Sequence, residues 1–96
     1  MSKLLRHMED GRITFYCPAC KNYHWINDTW TLTGTEENPT INPSIRVSGM
    51  VAGNPNGICH FFVRNGYIEY LSDCTHDFAG NKIMMEPEDG YEYSLI

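Results

Sequence analysis

The stretch "CHFFVRNGYIEYLSD", residues 59–73, decides the fold. Two runs rich in β-branched and aromatic residues flank Asn65-Gly66. That pair suits the centre of a type I′ turn, where both residues need positive φ. A two-residue loop there places Arg64 opposite Tyr67, Val63 opposite Ile68, Phe61 opposite Tyr70 and Cys59 opposite Ser72. Side chains alternate along a strand, so residues 59, 61, 63, 68, 70 and 72 share one face. His60, Phe62, Glu69 and Leu71 share the other, and His60 comes near Asp73, close enough for a His–Asp hydrogen bond.

Working outward, the chain reads as a small, mostly antiparallel β domain with one or two short helical turns and a zinc-ribbon-like site. "RITFYC", "HWI", "TWTLTG" and "KIMME" are strand candidates. "NPTINPSIRVSG" carries two prolines and is expected as an edge strand or a loop, because proline donates nothing to a ladder. "NPNG", residues 54–57, reads as a turn, and "HDFAGN", residues 76–81, as one helical turn ended by Gly80. Trp25, Trp30, Phe61, Phe62 and Tyr70 are expected in packing. Residues 1–12 form an N-terminal arm, 13–86 the β domain, and 87–96 an acidic C-terminal tail.

A chain of 96 residues makes one domain with a modest core. Such domains often need a metal or a disulfide as a staple. The net charge of −5 argues against tracking a phosphate backbone, so nucleic acid is not an expected partner. No run of 18 apolar residues occurs, and the first residues lack the apolar segment of a secretory signal. The expected location is a reducing cytoplasm, where four cysteines read first as a metal site.

"YCPACKNYHW", residues 16–25, holds Cys17 and Cys20 in a turn pre-set by Pro18. Cys-x-x-Cys lets two thiolates reach one ion, and a closed structural zinc site needs four ligands. Cys59 lies on the hairpin face that Cys74 would share if the strand continued past Ser72. The expected set is therefore Cys17, Cys20, Cys59 and Cys74 around Zn2+. A bend at Ser72 would break that register. His76, His60, His24 and Asp73 are the alternative ligands or outer partners. No βαβ pattern surrounds the motif, which disfavours a thioredoxin-like redox pair.

"FYCPACKNYHWI", "NPTINPSIRVSG" and "CHFFVRNGYIEYLSDCTHDFAG" together resemble a family of small bacteriophage and prophage proteins that share a domain of unknown function. The resemblance covers residues 13–86. It implies a phage accessory protein in the host cytoplasm that binds a host or phage macromolecule, such as a component of host defence or transcription. Its motifs fall on Cys17, Cys20, His24, Cys59, His60, Cys74 and His76. Two other functions compete. One is a zinc-dependent hydrolase with an open Cys/His site, and the other is a nucleic-acid-binding zinc ribbon.

Overall fold

The computed structural model describes residues 4–85, so the expected acidic tail, 87–96, lies outside the described residues. Eight strands form two antiparallel sheets, and no helix occurs among the described residues. The first sheet has β1 (Arg6–His7), β2 (Ile13–Cys17) and β3 (Asn22–Ile26) in that order. The second runs β4 (Thr31–Gly34), β5 (Pro39–Val51), β6 (Asn54–Arg64), β7 (Tyr67–Tyr70) and β8 (Lys82–Met84). Within each sheet the strands lie in chain order, and the connection that carries Asp73, Cys74 and His76, residues 71–81, joins β7 to β8.

The central hairpin takes the expected register: Phe61 opposite Tyr70, Val63 opposite Ile68, Arg64 opposite Tyr67. Asn65 and Gly66 have φ of 51° and 82°, the positive pair of a type I′ turn. The odd residues of β6, from Gly57 to Val63, are buried, with Ile68 and Tyr70 of β7 beside them. This face packs on the first sheet through Phe15 and Ile26. Phe61 meets Phe15 edge-on at 6.0 Å between ring centroids. Leu4 and Leu5 enter the same core, and the Leu4 N–H donates to Glu36 O at 3.1 Å.

Gly66 is held from two sides. Its N–H donates to Pro39 O at 2.9 Å, and an added Cβ would stand 3.1 Å from Asn38 Oδ1 and 3.3 Å from Glu37 O. Gly66→Val must adopt a conformation that β-branched residues resist, at about 1–3 kcal/mol for the backbone alone. It must also displace the 37–38 loop. The variant is expected to melt about 10 °C lower or more, given roughly 4–8 °C per kcal/mol at this size. Glu69→Gln, which removes one surface ion pair with Arg64, should shift the melt by no more than a few degrees.

Four local expectations are corrected. "NPTINPSIRVSG" is strand and not loop: β5 lies between β4 and β6 from Pro39 to Asn42, and only its part beyond Ser44 has the expected edge character, with β6 alone beside it. It tolerates its prolines because Pro39 is its first residue and Pro43 falls where the register shifts between Ile41 and Ile45. "NPNG" opens β6, and the turn lies just before it at Ala52-Gly53, both with positive φ. "HDFAGN" makes successive turns and no helix, with Ala79 N–H donating to His76 O and Asn81 N–H to Phe78 O. Trp25, expected in packing, is 49% exposed and lies under the Arg12 guanidinium.

Candidate metal centre and Ser–His–Asp site

The two faces of β6 carry two different sites. Cys59 points inward to the first sheet, and its neighbour His60 points outward.

On the inner side, the ligand atoms of Cys17, Cys20, His24 and Cys59 lie within 4.8 Å of one another. Cys17 ends β2, Cys20 sits in the following turn, and His24 is on β3 opposite Phe15. The Sγ atoms of Cys17 and Cys59 are 3.9 Å apart. Two thiolates on a tetrahedral zinc at about 2.3 Å stand roughly 3.8 Å apart. Imidazole and thiolate are the donors that zinc favours. His24 is buried, its ring stacked on Phe61, and its Nε2 has no hydrogen-bond partner. A buried polar atom without a partner is costly, and an ion at the centre of the four would satisfy it.

The electrostatics agree. Hydrogen bonds from Cys20 and then Cys59 hold the Cys17 thiol well below its ordinary range. Cys17 in turn pushes Cys20 up to about 12 and pushes Cys59 up as well. Cys17 is thus a thiolate, while Cys20 and Cys59 retain protons that a dication would displace.

Two side chains support the sulfurs from outside. Tyr70 Oη, whose proton burial holds on, lies 3.1 Å from Cys17 Sγ and donates to it. His76 accepts the Phe78 N–H at Nδ1, 3.2 Å, so its proton sits on Nε2. That Nε2–H lies 3.3 Å from Cys59 Sγ and donates to it. His76 is therefore an outer partner, with no lone pair aimed at the ion.

Cys74 stands apart from the group of four. The β7 strand ends at Tyr70, and a turn at Ser72-Asp73 follows. The Leu71 N–H still donates to His60 O at 2.9 Å, but the next bond, to Ile58 O, comes from Thr75 N–H at 3.0 Å. A regular ladder would bring residue 73 there, so two residues are looped out and Cys59 has no Ser72 opposite it. Cys74 Sγ instead accepts the His60 N–H at 3.2 Å and lies 3.1 Å from His60 O. Burial raises the Cys74 thiol, which keeps it protonated and able to donate to that carbonyl. Cys74 thus clamps the His60 peptide.

On the outer side, His60 Nδ1 lies 3.0 Å from Asp73 Oδ2, as the hairpin parity suggested. His60 Nε2 lies 3.2 Å from Ser44 Oγ. The hydrogen bond from His60 is the main cause holding the Asp73 carboxyl below its usual range. An ionised Asp73 accepts from Nδ1–H, which leaves Nε2 to accept from the Ser44 hydroxyl. Asp73, His60 and Ser44 thus form a chain of two hydrogen bonds in the order of a serine-hydrolase triad.

A family model described as bacterial ubiquitination-like system serine protease (BubE) matches residues 2–71. The chain belongs to this family. Neither the comparison with curated proteins nor that with solved structures finds a match. Of the described serines in the BubE match, Ser44 and Ser48, Ser44 is the one hydrogen-bonded to a histidine. The match takes in the N-terminal arm and both Ser44 and His60, and it ends just before Asp73. Sequence reasoning placed His60 beside Asp73 but missed Ser44. Its position depends on the register shift inside β5, which leaves no mark in the alternation of residues.

Proposed function

We propose that the chain is a serine protease whose nucleophile is Ser44, and that the Cys17/Cys20/His24/Cys59 centre holds a structural zinc. The observation that carries this reading is the 3.2 Å Ser44–His60 and 3.0 Å His60–Asp73 pair of hydrogen bonds in a chain of the BubE family. His60 takes the Ser44 proton as Oγ attacks a scissile carbonyl, and Asp73 stabilises the imidazolium that forms. His60 then returns the proton to the leaving amine, and water repeats the cycle on the acyl-enzyme. The substrate class is a polypeptide, and the family description points to a protein of a ubiquitination-like system.

A zinc held by three thiolates and an imidazole has four protein ligands and no open position for water. That arrangement weighs against the zinc hydrolase alternative and suits a staple. The partner expected from the sequence becomes, in this reading, the protein substrate. A phage context and a host-cytoplasm location are compatible with it and do not carry it.

The test is a fluorophosphonate probe followed by peptide mapping. The expected adduct is on Ser44, and it disappears in His60→Ala. An adduct on Ser48 or Ser72, or none on the zinc-loaded chain, would sink the assignment.

A further inference from the structure

The strand that carries Ser44 has an open side. β4 pairs with β5 only from Pro39 to Asn42. Beyond Ser44, β5 continues to Val51 with β6 on one side and no paired strand on the other, among the described residues. The direction of the main-chain groups follows from His60. Its N–H meets Cys74 Sγ and its C=O takes the Leu71 N–H, so both point toward β7. Peptide groups alternate along a strand, so those of Cys59 and Phe61 point to β5. Their partners Val47 and Ile45 therefore bond to β6, which turns the N–H and C=O of Arg46 and Ser48 outward. The Ser44 carbonyl faces Trp30, whose indole N–H donates to it at 3.3 Å. Arg46 and Ser48 are exposed, and Met50 is 72% exposed.

We propose that the substrate's residues preceding the scissile bond bind as an added strand, antiparallel to β5, on the main-chain groups of Arg46 and Ser48. This rests on the Ser44 triad. The occupant is set by the position of that edge: it starts two residues from the nucleophile. A peptide whose reacting carbonyl sits at Ser44 Oγ, and which runs antiparallel to β5, lays its preceding residues along 46–50. An added strand gains affinity through main-chain hydrogen bonds and so accepts varied side chains. Such recognition requires the substrate segment to be extended and unpaired, as a chain terminus or an unfolded linker is, and excludes a site within a helix or an interior strand.

The experiment uses the zinc-loaded chain and a series of diphenyl phosphonates. Each has one to four alanines before a glycine-like aminomethylphosphonate. The inactivation rate constant is expected to rise at least tenfold from one alanine to four. Ser48→Pro, which removes one outward N–H without touching a β6 bond, should lower the four-alanine rate to that of the one-alanine compound. A measurement on the unaltered protein makes the test independent of that variant's folding. Methylating one set of alternate backbone nitrogens in the four-alanine compound should erase the gain, and methylating the other set should preserve it. A rate independent of length, or equal loss from both methylated sets, overturns the added strand while the fluorophosphonate adduct on Ser44 still stands. Absence of that adduct overturns the triad, and the added strand with it.

Discussion

Cys17→Ser, Cys20→Ser, His24→Ala and Cys59→Ser should each release about one equivalent of zinc and lower the melting temperature by a similar large amount. Each removes a ligand from the same group of four, so each destroys one site. The ion would join the turn after β2, strand β3 and the middle of β6, segments as far apart as Cys17 and Cys59. A link that closes a long loop in a small domain is worth about 2–5 kcal/mol when the link is a disulfide. A loss of that size corresponds to a fall of well over 10 °C at roughly 4–8 °C per kcal/mol. Cys74→Ser and His76→Ala should retain zinc near one equivalent. Cys74 bonds to the His60 peptide, and the Nε2 proton of His76 is committed to Cys59. Elemental analysis with thermal melts of the six variants decides this. Zinc loss in Cys74→Ser with retention in His24→Ala would restore the four-cysteine set. Exchange of zinc for cadmium provides a second check. A structural ion should leave the turnover number within about twofold, whereas an ion that activates water would change it strongly.

The parts legible in the sequence were those governed by local rules. Asn65-Gly66 dictates the turn, and the turn dictates which residues of β6 and β7 oppose each other, down to the meeting of His60 and Asp73. The Cys-Pro-Ala-Cys turn and Cys59 were legible for the same reason, since alternation along β6 aims Cys59 at the core. Parity did not carry as far as Cys74. Extending the ladder past Ser72 would put Cys74 beside Cys59, but the turn at Ser72-Asp73 loops out two residues and aims Cys74 at the His60 backbone. His24 comes close to the three cysteines because β3 folds back directly on β2, with His24 opposite Phe15 and its ring stacked on Phe61. Ser44 was out of reach of any local rule. Its contact with His60 joins two strands across the shift between Ile41 and Ile45, and the same residues without that shift would align differently. The prolines that suggested a loop mark the place where the strand makes the site.

Ser44→Ala, His60→Ala and Asp73→Asn should each lower kcat/KM for hydrolysis of an activated peptide ester by about 10³–10⁴-fold or more. The three act as one unit, so the double variant Ser44→Ala/His60→Ala should be scarcely worse than either single. Simple addition of two independent losses would give about twice the penalty in free energy. The Asp73 variant is the most informative of the set, because Asp73 lies beyond the matched stretch and its role rests on geometry alone. An asparagine there can donate to Nδ1, which favours the tautomer with its proton on Nε2 and turns that atom away from accepting the Ser44 proton. The fold should survive, since Asp73 is an exposed turn residue and its removal breaks one surface contact. Melting within a few degrees of the parent, unchanged zinc and a collapse of kcat/KM are therefore expected together. Full activity in Asp73→Asn would reduce the site to a Ser–His pair. Full activity in Ser44→Ala, with inactivation by iodoacetamide, would transfer the nucleophile to a cysteine.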